Sequence, residues 1–428
     1  MKVVLLMEDS FFSGVDFSEV RKGNPGVGGT EFEIALLGDL LTKETEFETC
    51  ILHYNPANTF DKAVKTVIVS PSKLWDNLEK DDIFIFRSGK DEHWYNMLEK
   101  CSIKGVCWAH NFLDYEEIKS ARRCSMLKRI VCVGRQEYEH YIDDNIINKM
   151  TYIYNIIPVI DRQELYDRTN YKEVTYTGSL VKLKGFHILA KYWKDIVHAV
   201  PEARLNIIGT GKLYKRDSEF GPYGIADVEY ERLFMPYLTD EHGNILDSVT
   251  FYGILGEEKN DIYKRTTVGI ENPSADTETF GLSGVEMSLM GIPVVTKAQN
   301  GFLDTVPDNI SGKLFEKEVC FPAYIIELLK DFEKNKALGK SGREFVLSNF
   351  TAEQILPQWC SCLSGIADNI EAEKLKRVSF PNKDSKRLRM LLYCCHNNSL
   401  LEWIPSSHAI IHLLKIIKKG LMSIIGRK

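Results

Sequence analysis

The stretch ENPSADTETFGLSGVEMSLMGIPVVT, residues 271–296, decides the fold of this chain. It predicts the end of a strand, a polar loop, a helix from about Leu282, and a second strand. Gly291 stands where a left-handed helix end is expected, and Pro293 prevents the helix from continuing. Two strands joined by a helix run parallel, so the loop should open at their carboxyl end, where such sheets bind ligands.

The loop of this unit predicts an anion site. Gly281 and Gly284 keep bulk away from the first helical turn, where free backbone N–H groups and the helix dipole attract negative charge. Glu278 precedes this turn and Glu286 follows it, so a carboxylate flanks the site on each side. A phosphate at a helix start with polyol hydroxyls on both sides is the chemistry of a nucleotide-sugar. The alternative is an ordinary first-turn acidic residue and a solvated helical glutamate.

The same residues resemble a known family. The segment ETFGLS at 278–283, with Glu286 and GIPVV at 291–295, resembles the signature of glycosyltransferase family four, in which two glutamates precede a GxPVV turn. The resemblance implies that Glu278 contacts the donor sugar as a catalytic residue and that Glu286 holds the ribose. It also implies donor contacts at the helix start for Thr279, Phe280, Gly281 and Leu282.

Two further glycine-bearing turns fit the family by position. Gly28 and Gly29 lie in the place of its Gly-Gly loop, which touches the donor diphosphate, although an ordinary turn before a helix has the same pattern. Lys184 follows a strand predicted over 173–177 and matches the lysine that neutralises the donor diphosphate during catalysis. Ser179 stands at a donor-binding position where most members carry arginine. Either Lys182 supplies the second charge, or one cation and backbone amides hold the phosphate.

Two strand ends complete the implied site. His110 ends a predicted strand and resembles the family's catalytic histidine on the acceptor side of the cleft, while a structural role is the alternative. Tyr252, Gly253 and Ile254 end the strand predicted over 249–253, at the edge that binds the base in this family. The sequence contains no Asp-x-Asp, so we expect no metal site and no cofactor, with the nucleotide-diphosphate sugar as co-substrate.

Alternating strands and helices predict an α/β protein with mostly parallel sheets. The resemblance makes this the GT-B fold, two Rossmann-like domains facing each other across a cleft. Residues 1–160 are then the N-terminal acceptor domain, completed by a crossing helix over 350–367, and residues 161–349 are the C-terminal donor domain. We expect the helical segment 322–347 to break near Gly339.

Composition limits the other possibilities. The chain has 428 residues and a net charge of −6, which is too mild to indicate a nucleic-acid partner. The 10 cysteines lack the paired spacing of a zinc site, which favours reduced thiols in a cytoplasmic protein. The N-terminal apolar run is too short for a signal peptide, and no apolar run has the length of a membrane-spanning helix.

The C-terminal segment differs in charge from the rest. Residues 371–428 carry 12 Lys and Arg against 4 Asp and Glu, and residues 409–425 predict an amphipathic helix. A basic amphipathic helix suits an anionic membrane surface. Alternatively, its apolar face packs on the protein itself or on a second copy.

The sequence therefore predicts a retaining glycosyltransferase that moves a hexose-type sugar from a nucleotide-sugar to a glycan or lipid-linked acceptor. We expect it in cell-surface polysaccharide biosynthesis, in the cytoplasm and at the inner face of the membrane. Another GT-B enzyme, such as an epimerase or a phosphorylase, is one alternative. A non-catalytic nucleotide-sugar binding protein is the other.

Overall fold

The computed structural model describes residues 1–159, 165–211, 219–372, 386–396, 401 and 403–425, without the side chains of 420–425. Its first half forms one parallel sheet with the strand order β3-β2-β1-β4-β5-β6-β7. The strands are β1 (Lys2–Met7), β2 (Glu48–His53), β3 (Lys65–Ile68), β4 (Ile83–Arg87), β5 (Lys104–Ala109), β6 (Leu127–Cys132) and β7 (Met150–Tyr152). The helices are α1 (Gly29–Glu44), α2 (Glu92–Cys101), α3 (Tyr115–Arg123) and α4 (Arg135–Glu139).

The second half forms another parallel sheet, with the order β10-β9-β8-β11-β12-β13. Its strands are β8 (Glu173–Thr177), β9 (Arg204–Ile208), β10 (Val249–Gly253), β11 (Thr266–Ile270), β12 (Val294–Lys297) and β13 (Gly312–Phe315). Its helices are α5 (Phe186–Ala199), α6 (Val228–Leu238), α7 (Lys259–Arg265), α8 (Leu282–Leu289), α9 (Phe302–Thr305), α10 (Cys320–Lys330) and α11 (Phe332–Asn349). The predicted α/β class with two Rossmann-like domains is confirmed, whereas the predicted boundary at 160–161 lies outside the described residues.

Each sheet is buried on both faces, which explains its nearly continuous apolar strands. In β1, Val3 and Leu5 belong to one apolar cluster, and Val4 and Leu6 belong to the cluster on the other face. In each sheet the order of the strands changes direction beside its first strand, between β1 and β4 in the first sheet and between β8 and β11 in the second. This topological switch point is called the reversal point below. Ligands of such sheets bind at the carboxyl ends of these strands.

Helix α12 (Ala352–Ala367) crosses back from the second half and packs on the first sheet. Trp359 is fully buried there, and its ring lies 4.8 Å from that of Trp108. The expected helix break near Gly339 was wrong, because the chain breaks at Asp331, whose side chain accepts the N–H of Lys334 and caps α11. Gly339 instead permits close packing, since a Cβ there would lie 2.2 Å from the carbonyl oxygen of Gly291.

The C-terminal segment contributes α13 (Lys386–His396) and α14 (Ser407–Ile425). Leu392 is buried and Tyr393 packs against the apolar cluster of the first domain. The predicted helix over 409–425 is present and begins two residues earlier. The side chains predicted beyond residue 419 lie outside the described part of the structure.

Candidate functional site

The loops after β8 and β11 meet at the reversal point of the second sheet. Ser274 Oγ donates a hydrogen bond of 2.7 Å to the carbonyl of Leu183. A Cβ at Gly185 would lie 2.6 Å from the backbone nitrogen of Ser274, so only glycine lets the two loops pack this closely. The contact places Lys184 over the loop that leads into α8.

Glu278 lies at the centre of this arrangement. Its buried carboxylate accepts hydrogen bonds from Lys184 Nζ at 2.7 Å, from Asn272 Nδ2 at 3.0 Å and from the N–H of Gly281 at 3.1 Å. Burial acts to raise the pKa of Glu278, but Lys184 and these donors outweigh it and hold the pKa below its ordinary value. The side chain is therefore ionised and paired at neutral pH.

Glu271, which the sequence predicts only as the end of a strand, lies beside Glu278. Its buried Oε2 accepts the N–H of Gly284. Burial, followed by the negative charge of Glu278, raises the pKa of Glu271 to about 8, so it is largely protonated at neutral pH. A Cβ at Gly284 would lie 2.5 Å from this oxygen and one at Gly281 would lie 3.1 Å away, so both glycines make room for the Glu271 carboxyl.

These contacts correct the expected anion site. The sequence predicts free N–H groups in the first turn of α8, yet those of Gly281 and Gly284 donate to carboxyl groups of the protein itself. Leu282 and Ser283 are the first two residues of α8, and their backbone N–H groups have no acceptor within the helix. An anion at this turn would therefore use these two groups and Lys184.

The second predicted glutamate is also paired. Glu286 Oε2 accepts a 2.7 Å hydrogen bond from Lys259 Nζ on α7, and both side chains are largely buried. Lys259 could not be predicted from the sequence, because it lies in a polar helical segment with nothing to distinguish it from a solvated lysine. Glu33 of α1 is a fully buried carboxyl group, and burial, with a smaller effect from the charge of Glu286, raises its pKa well above the ordinary value.

The glycine loop of the first domain reaches the second domain. Gly28 precedes α1 and Gly29 begins it. A Cβ at Gly29 would lie 3.6 Å from Leu282 Cδ2, and one at Gly26 would lie 3.3 Å from Ile254 Cγ2. A cavity of about 320 Å³ opens here, and its lining includes Gly23 and Pro25 from one domain and Gly256 and Glu257 from the other.

His110 lies at the same interdomain contact. Its carbonyl accepts a 2.8 Å hydrogen bond from Thr279 Oγ1, so the predicted acceptor-side and donor-side residues are adjacent. Among the described residues, its buried Nε2 has no hydrogen-bond partner. Burial and then the charge of Arg87 lower the pKa of His110 to about 3, so the ring is neutral.

The other residues predicted to bind the donor differ in their exposure and in their contacts. Ser179 is buried in the turn after β8, whereas Lys182 is exposed in the same turn. Tyr252 accepts a 3.0 Å hydrogen bond from Arg265 at its hydroxyl, and Gly253 has a φ of +73° beside exposed Ile254. The Phe280 ring is buried between the domains, 5.3 Å from the ring of Phe350 and 6.2 Å from that of Tyr154.

The loop before α8 has a strained backbone. Asn272, Ala275 and Thr277 have φ values of +35°, +55° and +57°, a region that residues with a Cβ rarely adopt. Asn300 Nδ2 holds the loop through a 2.9 Å hydrogen bond to the carbonyl of Ala275. Such strain concentrates at ligand sites, where surrounding contacts fix the backbone in one conformation.

No group of three His, Cys, Asp or Glu side chains that could hold a metal ion occurs among the described residues. Within the same residues, every helix is too short or too polar to cross a membrane. All ten cysteines are free thiols.

Comparisons with known proteins agree with this architecture. Residues 160–345 match the family described as "Glycosyl transferases group 1". An uncharacterized glycosyltransferase of Methanocaldococcus jannaschii is 27% identical over 219 residues, which cover 51% of this chain and 54% of that relative. The capsular polysaccharide biosynthesis glycosyltransferase CapM of Staphylococcus aureus is 25% identical over 189 residues, 42% of this chain and 43% of CapM.

The structural likeness extends over both domains. The crystal structure of Anabaena HepE in complex with UDP-glucose has a TM-score of 0.63 and 15% sequence identity. The match covers 85% of this chain and 100% of that one. The fold is therefore GT-B.

Proposed function

We propose that this chain transfers a hexose-type sugar from a nucleotide-diphosphate sugar to a glycan or lipid-linked acceptor, with retention of configuration and without a metal ion. The proposal includes a role in cell-surface polysaccharide biosynthesis, in the cytoplasm at an anionic membrane surface bound through residues 409–425. The family match over residues 160–345 supports the reaction class, and the likeness to CapM supports the polysaccharide role.

One observation carries the proposal. Lys184 and Glu278 form a 2.7 Å ion pair at the start of α8, at the carboxyl edge of the reversal point in the second sheet. A donor diphosphate would take Lys184 and the N–H groups of Leu282 and Ser283 as its partners. Glu278 would then be released to accept hydrogen bonds from the hydroxyls of the sugar.

In this arrangement the donor diphosphate, the acceptor and the side chains around them each have one role in the reaction. The bond between the anomeric carbon and the diphosphate oxygen breaks, and the leaving oxygen keeps the electron pair. Lys184 stabilises that growing negative charge. The acceptor oxygen attacks the same face of the sugar and transfers its proton to the departing phosphate. His110, which is neutral and beside Thr279, would line the acceptor side.

The remaining implied contacts extend the donor site on both sides. Glu286, held by Lys259, would accept the ribose hydroxyls. Gly28 and Gly29 would let the first domain approach the diphosphate. Ile254, exposed beside the interdomain cavity, would lie at the base.

A donor screen with product analysis tests the proposal. A panel of nucleotide-sugars is first ranked by the increase in melting temperature, since a ligand of the folded state raises it. The best donor is then incubated with acceptors, and the released nucleotide and the anomeric configuration of the product are measured. Release of nucleotide diphosphate with a retained linkage is expected. Donor consumption without transfer would indicate an epimerase, dependence on free phosphate a phosphorylase, and binding without turnover a sensor.

A further inference from the structure

Helix α14 exposes large apolar side chains to solvent. Four of them, on consecutive turns of the helix, are roughly half exposed or more: Leu413 at 57%, Leu414 at 59%, Ile416 at 54% and Ile417 at 48%. The lysines interspersed with them, Lys415, Lys418 and Lys419, are exposed as well. A monomeric protein rarely leaves such an apolar surface uncovered, so this face is expected to have a partner.

The first turns of α14 attach it firmly to the first domain. The backbone N–H of Ser407 donates to Asp143 Oδ2 at 2.6 Å, and the Ser407 hydroxyl donates to Oδ1 at 3.1 Å. One turn later, the His412 ring stacks on Tyr115 with a centroid distance of 4.4 Å. His412 Nε2 also lies 3.5 Å from Glu116 Oε1. The helix is therefore held on the side that carries His412.

The apolar side of α14 points the other way. At 100° per residue, Leu414 and Ile417 lie roughly 160° and 140° around the helix from His412. An ordinary surface helix packs its apolar side on the core and turns its polar side to water. Here the histidine side contacts the protein as far as His412, and every side chain from Leu413 to Lys419 is exposed, including Ile416, which lies only roughly 40° from His412. The apolar side is therefore left outside.

We propose that this outward side of α14 binds the surface of an anionic bilayer and that the acceptor is consequently lipid-linked. The proposal rests on the transferase function and specifies its acceptor. Charge complementarity selects the bilayer, because α14 contains three lysines and no acidic residue. A second copy fits less well, since a two-fold contact through this side would bring Lys418, which lies roughly 40° from Leu414, close to the same lysine of the other copy.

The neighbouring segment extends the apolar surface. Helix α13 packs against α14, and its Leu391 is 60% exposed. Trp403, just before α14, is 77% exposed. Tryptophan is enriched at membrane interfaces, where its ring lies at the level of the lipid headgroups.

The attachment of α14 to the first domain places a bound bilayer close to the acceptor side of the site. Tyr115, on which His412 stacks, follows His110 by five positions in the chain. A bilayer bound to α14 would therefore lie near the edge of the first domain where the acceptor enters. A lipid-linked acceptor would reach that edge without leaving the membrane. A soluble glycan would not need a site placed at the membrane.

Vesicle flotation of the full chain tests the surface. Wild type is expected to float with phosphatidylcholine vesicles that contain 30 mol% phosphatidylglycerol. The double variant Leu414→Glu, Ile417→Glu should lose at least about 10-fold in partition. The control Ile68→Glu, at an equally exposed isoleucine on the distant edge strand β3, should partition as wild type. The triple variant K415Q/K418Q/K419Q should lose on the order of 100-fold and most of its salt dependence.

Donor binding and transfer separate this proposal from the underlying function. The α14 variants should show the wild-type donor thermal shift but reduced transfer to an acceptor embedded in anionic vesicles. Equal flotation of wild type and variants, or equal transfer to the embedded acceptor, would overturn the proposal. A change in molecular mass by light scattering without vesicle binding would do so too, in favour of a second copy. If the donor did not raise the melting temperature of the wild type, that result would instead contradict the transferase function.

Discussion

Replacing Glu278 with glutamine removes one charge from the centre of the site and keeps the shape of the side chain. The lost charge is the one that Lys184 Nζ meets at 2.7 Å. We expect transfer to fall at least about 100-fold in kcat, the scale on which loss of one electrostatic contact in an active site acts. The folded state should persist, so the donor complex can still be studied.

The structure sets the expected change in stability. Two unit charges 2.7 Å apart attract by about 6 kcal/mol at an effective dielectric constant of 20. Much of this is offset in the variant, because the Lys184 side chain is 25% exposed and can turn towards water. The glutamine oxygen can also keep the hydrogen bond from Gly281. We therefore expect the free energy of unfolding to fall by about 1–3 kcal/mol.

The neighbouring carboxyl group of Glu271 further limits the loss of stability in the Glu278→Gln variant. The charge of Glu278 is one of the causes that raise the pKa of neighbouring Glu271, while burial is the larger one. Without that charge the pKa of Glu271 falls, and this carboxyl group becomes a better partner for Lys184. The variant should therefore remain folded at neutral pH.

Urea unfolding and initial-rate kinetics measure the two effects. The matched control is Glu318→Gln, which breaks a Lys191 ion pair of 2.8 Å between side chains about half exposed to solvent. That surface pair should contribute nothing measurable to activity or unfolding. If Glu278→Gln behaved like this control, with kcat within a factor of ten of wild type, the assignment of Glu278 to the site would be wrong.

Three further changes test the surroundings of the pair. Because the pKa of Glu271 is raised in the folded state, its contribution to stability is complete below the unfolded value and is lost as pH rises through about 8. Glu271→Gln should therefore gain stability over wild type between pH 5 and pH 8, by up to about 4 kcal/mol in urea unfolding. Gly281→Ala should lower the unfolding free energy by about 2–3 kcal/mol in urea titrations, since φ is +84° and the new Cβ would lie 2.5 Å from Phe302. Lys259→Met should raise the donor KM about 10-fold in kinetic assays with little change in kcat, because Glu286 loses the partner that orients it.

Local patterns predicted the architecture well. The bounds of β8 and β10 agree to the residue with the predicted strands, because each β-type run is bounded by charged residues, turns or glycine. The helix break was misplaced because Gly339 was read for its low helix propensity, whereas its real role is contact with Gly291.

The contacts within the site could not be predicted in the same way. Glu271 ends a strand and gives no periodic signal, and its carboxyl group acquires a role only through Gly284, thirteen positions later. Lys259 is similarly inconspicuous until folding brings it to Glu286. On α14 the helical pattern defined the apolar face, but the stacking of His412 on Tyr115 decided which side packs.

The paired glutamates also explain how a site with Ser179 in place of arginine can remain balanced. Lys184 is already neutralised by Glu278, and Lys259 by Glu286, so the free protein carries no unpaired cation at either position. A diphosphate that takes over Lys184 would leave the buried Glu278 carboxylate with hydrogen bonds from Asn272 and Gly281, and sugar hydroxyls would replace the donor that the lysine supplied.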